Sequence, residues 1–318
     1  MWKTSTDPFA IVGAGLSRRA FNGPAMGARW SAVVFVDDDF DGEAFAAALA
    51  EAVEEVERQM SRHRRESDLE RLNRAPLGVW QPVPAMLMEV LEAGIAIGEA
   101  SGGTFDIGVG DLVRAWGFGA GEGSALTGAT AGSIARGEGI APKTLELDRL
   151  GGRVRRHAAR TIDLSGIAKG YGVDRMARVA ADFGVAAFLV GIDGEMRAHG
   201  RKPDGRAWAV GQEKPDPTVR ELLGVVELVD AAVATSGDYR HFREIGGRRV
   251  SHTMDPRRGA PIAGDLVQAT VIAPDCMTAD AWATALMVAG LDDGEALARR
   301  RGLGAILVGR SGEVRTTL

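Results

Sequence analysis

The chain has 318 residues, a formal net charge of −5, and 45% hydrophobic and 25% charged residues, the balance of a folded protein rather than a disordered one. A chain of this length buries roughly three-quarters of its unfolded surface, as one large domain or two compact ones. An acidic pI near 5.7 without a long Lys/Arg run excludes a nucleic-acid partner held through phosphates. The single Cys276 excludes an intramolecular disulfide and a cysteine zinc site, and no stretch reaches the roughly 18 apolar residues of a membrane span.

In chain order, Ile11-Val12-Gly13-Ala14-Gly15 begins like a dinucleotide fingerprint. Arg18 stands at its third glycine position and no helix-periodic stretch follows, which excludes a Rossmann site. Ser17-Arg18-Arg19-Ala20-Phe21 carries paired arginines, but Asn22-Gly23-Pro24 replaces the apolar run that an export signal needs. A basic turn before a strand is expected there, with residues 1–20 an N-terminal extension to a single domain over 21–318 built of one body or two intertwined subdomains. As given, the chain reads as cytoplasmic, or periplasmic if a leader has been removed.

Trp30 to Val36 reads as a strand. Asp41 offers an N-cap to a helix whose Phe45, Leu49, Ala52, Val53, Val56 and Met60 recur at helical spacing. Pro84 opens a second helix through about Glu99, ended by Gly102-Gly103. Residues 120–142, rich in Gly, Ala, Ser and Thr, read as an irregular surface loop. A hairpin over Leu145–Val154 turns at Gly151-Gly152, Tyr171–Phe183 is helical, and Ala186–Ile192 is a strand. Antiparallel strands are expected at Trp208–Gly211, Leu223–Val229 and Val233–Thr235. A strand at Leu266–Ala273, a helix at Thr278–Val288, a short helix at 293–300 and a strand at 304–308 close the chain. Without a strict βαβ rhythm, α+β is favoured over a doubly wound sheet.

Several segments carry chemistry. Asp280 and Thr284 stand at i and i+4, with Cβ atoms about 6 Å apart on one helical face, a spacing at which two hard oxygens can share Mg²⁺. A helix-capping Asp and a hydroxyl bonded back to its own helix would give the same pattern. Asp163-Leu164-Ser165-Gly166-Ile167-Ala168-Lys169-Gly170-Tyr171 ends a strand in a carboxylate and places a rare lysine just before a helix. That arrangement suits a phosphate at the helix start, or a plain β-to-α turn with a solvated lysine. Ser251-His252-Thr253-Met254-Asp255-Pro256-Arg257-Arg258-Gly259 joins a histidine, a carboxylate and two arginines in a turn, with His252 either a general base or a cap. Thr235-Ser236-Gly237-Asp238-Tyr239 is a tight turn or a polar binding loop. Aromatics among glycines at Thr104-Phe105-Asp106 and Trp116-Gly117-Phe118-Gly119 read first as core.

Taken in order, NGPAMGARW, SRHRRESDLERLN, GGTFDIGVGDLVRAWGFG, TIDLSGIAKGYGVD, ATSGDYRHF, SHTMDPRRGAPI and TADAWATALMVAG resemble the ApbE family of FAD:protein FMN transferases, from about Phe21 to Gly290. The resemblance implies mixed, mostly antiparallel sheets flanked by helices, with FAD and a metal between subdomains. It implies that Asp280 and Thr284, with the backbone carbonyl of Gly166, bind Mg²⁺ or Mn²⁺. It places Met26, His63, Thr104, Phe105, Asp106, Asp163, Lys169 and Met254 at positions that contact FAD. The implied reaction is attack by a Ser or Thr hydroxyl of a flavin-accepting redox protein on the FMN-side phosphorus of FAD. His252 assists, Lys169 and the metal polarise the pyrophosphate, and AMP leaves. A hydrolase that splits FAD to FMN and AMP, and a non-catalytic FAD-binding protein, are the alternatives.

The sequence departs from the family at four positions. Ala28 stands where Thr is common, His63 where Tyr is, Asp193 at the first glycine of a Gly-Gly-Asp turn, and Ala283 where some members carry Asp. A lipobox cysteine is also absent, which speaks for a soluble protein.

Overall fold

Alternating burial sets the frame. In a computed structural model, which describes residues 15–118, 144–216, 218–219, 221–239, 242–245 and 247–318, β1 (Ser17–Ala25) and β2 (Ala28–Val36) form an antiparallel hairpin in continuous register from Ser17↔Val36 to Ala25↔Ala28. Trp30, Ala32, Val34 and Val36 are buried on one face of β2, while Val33 and Phe35 pack on the other, the period-two pattern of a strand covered on both sides. The expected basic turn at Ser17–Phe21 is therefore corrected: it is the start of an edge strand. Arg18, Ala20 and Asn22 face outward, Arg19 Nη1 donates to the Phe40 carbonyl at 2.9 Å, and charge on an edge strand discourages further pairing. Ser17–Ala20, assigned to the extension, thus belong to the sheet.

Helix α1 (Gly42–Met60) starts where Asp41 accepts from Ala44 N–H at 2.9 Å, and it buries the apolar positions that its periodicity marked out. A short α2 (Asp68–Arg74) follows, its Ser67 Oγ accepting from Glu70 N–H at 3.1 Å. Seven residues give only two turns of periodicity, so the sequence pattern alone does not reveal it. β3 (Trp80–Pro82), α3 (Ala85–Ala100) and α4 (Gly110–Ala115) come next. The Leu145–Val154 hairpin forms as β4 (Leu145–Asp148) and β5 (Arg153–Arg156), with β3 added as a third strand on β5. Residues 120–142, read as a loop, lie outside the described residues, as do Ile11–Ala14.

After α5 (Ala168–Asp182) come β6 (Phe188–Ile192) and β7 (Glu195–His199), then the hairpin of β8 (Trp208–Glu213) and β9 (Leu222–Leu228), then β10 (Ala232–Gly237). Two small ribbons follow, β11 (Phe242–Ile245) with β12 (Arg248–Ser251), and β13 (Met254–Asp255) with β14 (Ala260–Pro261). β15 (Leu266–Ala273), α6 (Cys276–Ala289), α7 (Leu291–Arg301), β16 (Gly304–Gly309) and β17 (Val314–Thr316) complete the order.

The main sheet runs β1-β2-β6-β7-β10-β15-β16-β17, with every pair antiparallel, which makes the architecture α+β. α1 and α5 cover one part of it through Phe45, Leu49, Val53, Val173 and Met176. α3, α6 and α7 share a second core with β15 and β16. The β8–β9 hairpin seals the reverse face through Trp208, Val226 and Leu228. No helix among the described residues is long and apolar enough to cross a membrane.

Phe45, fully buried, sits edge-to-face against Phe21, Phe40 and Phe183 at centroid distances of 5.2 to 5.3 Å. Phe45→Ala should cost about 3–5 kcal/mol, read from the denaturant midpoint at unchanged m-value; a loss below about 1 kcal/mol would show that this cluster does not anchor α1.

Candidate active site

Two helix starts meet at the centre of the molecule. α5 begins at Ala168 and α6 at Cys276, and they approach so closely that a Cβ on Gly170 would overlap the Cys276 carbonyl and stand 2.8 Å from Asp280 Cβ. Only glycine fits there. The contact lets Gly170 N–H donate to Asp280 Oδ2 at 3.0 Å. The helix start that the sequence suggested for a phosphate therefore already holds an anion of its own, the Asp280 carboxylate. Asp174 sets the same junction from the other side: it accepts from Cys276 N–H at 2.9 Å and Met277 N–H at 2.8 Å, and pairs with Arg197 at 2.6 Å. Three elements, α5, α6 and β7, are thereby fixed in one register.

One turn further along α6, Thr284 Oγ1 lies 3.1 Å from Ser236 Oγ, at the end of β10. A Cβ on Gly166 would come within 3.0 Å of Thr284 Oγ1 and 3.3 Å of Phe105 Cε2, so the Gly166 backbone is pressed against both. Gly166 thus meets Thr284 and Phe105, and Asp280 stands one turn before Thr284 on α6. Asp280 is only 4% exposed. Burial raises its pKa, opposed by the Lys169 charge and the Gly170 N–H. A buried carboxylate in that position calls for a cation.

Lys169 is the nearest one, and its partner went unrecognised in the sequence. Its Nζ lies 2.6 Å from Glu195 Oε1, and the glutamate side chain is 3% exposed. Burial works against the ammonium, but the charges of Glu195 and Asp280 more than reverse this and its pKa is raised. For Glu195, burial dominates and pushes the pKa up to about 7 against the pull of Lys169. Its second oxygen, Oε2, has no hydrogen-bond partner. Glu195 opens β7 directly after the two-residue turn Asp193-Gly194, where Asp193 has φ 53°. Aspartate is among the few non-glycine side chains that tolerate a left-handed backbone, so Asp193 in place of a glycine keeps the hairpin and delivers Glu195 to the lysine.

The remaining predicted residues line this centre or stand apart from it. Met26 occupies a hairpin turn at φ 46°, a costly backbone for a non-glycine residue. It packs against both main cores, and its N–H donates to Glu57 Oε2 at 3.2 Å. Thr104, Phe105 and Asp106 are buried in one turn, with Asp106 accepting from Gly108 N–H at 2.7 Å and pairing with Arg160 at 3.3 Å. Asp163 is committed to its own loop, through Ser165 and through Arg62 at 2.6 Å, a pair less than a tenth exposed. Arg62 is a second residue that sequence reasoning missed, 101 positions away. His63, next to it, is exposed on the loop after α1. Met254 is buried in β13. His252 lies just before it, its ring 6.4 Å from that of Phe118.

The sequence model of the ApbE family matches residues 26–307. The chain belongs to the ApbE family. Within that family it is similar to proteins named FAD:protein FMN transferase from Vibrio cholerae, 34% identical over 290 residues (90% of this chain, 86% of the relative), and from Salmonella typhimurium, 31% identical over 300 residues (93% and 85%). Among solved structures it resembles the apo form of Pseudomonas stutzeri flavinyl transferase ApbE, with TM-score 0.84, 35% identity and 95% of each chain covered. It also resembles the ApbE protein of Thermotoga maritima, with TM-score 0.86, 27% identity, and 94% of this chain and 97% of that one covered.

The Lys169–Glu195 pair has a pH signature in this ApbE chain. Glu195 loses its proton near 4.5 when unfolded and near 7 when folded. Between those values the folded state keeps a proton that the unfolded state has released, so stability is lost as pH rises through the window. Glu195→Gln should flatten this part of the melting-temperature profile of the apo-protein relative to wild type; superimposable profiles would place the titration on another group.

Proposed function

We propose that this ApbE chain transfers FMN from FAD to a protein, with Mg²⁺ as the metal and a Ser or Thr hydroxyl as the acceptor. The observation that carries the reading is the cluster of buried Asp280 with half-buried Thr284 and the Gly166 backbone, its Asp280 Oδ2 3.0 Å from Gly170 N–H in the first turn of the helix that bears Lys169. Phosphoryl transfer needs positioning and charge neutralisation more than covalent help from the protein, and a hard-oxygen pocket beside an ammonium supplies both.

The donor set fits Mg²⁺. It consists of one carboxylate, one hydroxyl and the Gly166 carbonyl, all hard oxygens, and the described residues gather no group of three or more His, Cys, Asp or Glu around a cation. Such a site leaves coordination positions to water and to substrate phosphate, as Mg²⁺ prefers. Bound there, Mg²⁺ supplies Lewis-acid polarisation of the phosphoryl oxygens.

The protein's own residues do the rest. The Gly170 N–H at the start of helix α5 holds Asp280 in place and favours its charged form against the pull of burial. Lys169, steadied by Glu195, presents positive charge to the pyrophosphate. His252 accepts the proton of the acceptor hydroxyl as that oxygen forms a bond to the FMN-side phosphorus. The bond from that phosphorus to the bridging oxygen breaks, and AMP leaves with the electron pair. Thr104, Phe105 and Met254 give the flavin nucleotide an apolar, water-poor wall, while Met26, Asp106 and Asp163 fix the turns around it; His63 stands at the exposed edge.

The test is mass spectrometry of a protein acceptor of the Vibrio cholerae FAD:protein FMN transferase, after incubation with this chain, FAD and Mg²⁺. A gain of one FMN, lost on chelation, is expected. Free FMN and AMP without adduct would establish hydrolysis instead, and intact FAD would leave only binding. In the same assay Asp280→Ala should slow transfer by more than about 10²-fold with the fold retained, and His252→Ala should lower kcat with the KM for FAD nearly unchanged. Wild-type rates in either variant would remove that residue from its role.

A further inference from the structure

The chain is acidic as a whole, yet the 21 residues from Tyr239 to Gly259 hold six arginines against two carboxylates, Glu244 and Asp255. This segment contains the β11–β12 ribbon and the candidate base His252. Its Arg243 and Arg249 are exposed beside a site whose interior is rich in carboxylates.

The ribbon is tied to the site at two points. On one side, the Arg243 guanidinium lies 5.9 Å over the Phe118 ring, and Phe118 in turn meets His252. On the other, Arg249 stacks 3.9 Å over Phe242 and donates from Nη2 to the Asp238 carbonyl at 2.6 Å. Asp238 follows two residues after Ser236, the partner of Thr284. Both arginines are exposed, and among the described residues neither forms an ion pair. They differ in this from Arg62, Arg160, Arg197 and Arg257, each paired with an aspartate. Stacking on aromatic rings holds the two guanidinium groups in place without neutralising them. Fixed, unneutralised cations at the rim of an acidic protein attract an anionic partner, and do so chiefly through encounter rate and selectivity.

We propose that the β11–β12 ribbon, with Arg243 as its principal contact, is the docking surface for the acceptor protein and selects an acidic segment beside the hydroxyl that receives FMN. The inference rests on the transfer reading above. FAD itself is the competing user of these arginines, and the two are separable because one raises the KM for acceptor and the other the KM for FAD.

The experiment is steady-state transfer to a protein acceptor of the Vibrio cholerae transferase, with wild type, Arg243→Glu, Arg243→Lys and, as a charge-matched control in the turn after β7, Arg201→Glu. At low salt Arg243→Glu should raise the KM for acceptor by about tenfold, with the KM for FAD unchanged; Arg243→Lys and Arg201→Glu should stay near wild type. Near 1 M salt, where the screening length shrinks to about 3 Å, the difference should collapse. A changed KM for FAD with an unchanged KM for acceptor would assign the arginine to the nucleotide and overturn the proposal. So would equal effects of Arg243→Glu and Arg201→Glu, or no effect of either. A wild-type enzyme that forms no adduct at all would instead overturn the transfer reading, and this one with it.

Discussion

A buried carboxylate held on a helix N-terminus is the contact on which this structure turns. Asp280 is nearly inaccessible, and its charge would be costly there without compensation. The compensation comes from Gly170 N–H and the start of α5, from Lys169, and from the cation that the site would take up. Each requires the two helices to touch backbone to backbone, which is why Gly170 cannot carry a side chain and why Asp174 spends its carboxylate on the first N–H groups of α6.

The large antiparallel sheet serves this junction. β7 brings Glu195 to Lys169 and Arg197 to Asp174, and β10 brings Ser236 to Thr284. Neighbouring strands of one sheet thus place the polar residues that brace both helices. The β8–β9 hairpin keeps water from the reverse face through Trp208, Val226 and Leu228. Glu195 Oε2 is left without a hydrogen-bond partner, a position where a bound hydroxyl or water would find an acceptor.

What could be read from the sequence was mostly local. The i, i+4 spacing of Asp280 and Thr284, the capped periodicity of α1, and the hairpin at Gly151-Gly152 all depend on residues close in the chain, and the structure has them as expected. The ordered blocks of family resemblance supplied the rest of the architecture. Contacts between distant residues were invisible: Lys169 with Glu195, Asp163 with Arg62, and Thr284 with Ser236 lie 26, 101 and 48 positions apart. The Ser165–Tyr171 segment shows the limit most plainly. Its composition suits an anion, and an anion is there, but it is the protein's own aspartate. The Ser17–Phe21 strand was missed for a different reason, because Ser17, Arg18 and Arg19 before Ala20 lack the apolar alternation that marks a strand.

The most direct test of the Asp280 junction is a Mn²⁺ titration of the full chain in the presence of FAD, followed by the loss of the free-ion electron paramagnetic resonance signal. The proposed metal site predicts one Mn²⁺ bound per wild-type chain, displaced by Mg²⁺, with binding lost in Asp280→Asn and weakened in Thr284→Val. Undiminished binding in Asp280→Asn, in a variant that melts like wild type, would contradict the placement of the cation on this carboxylate.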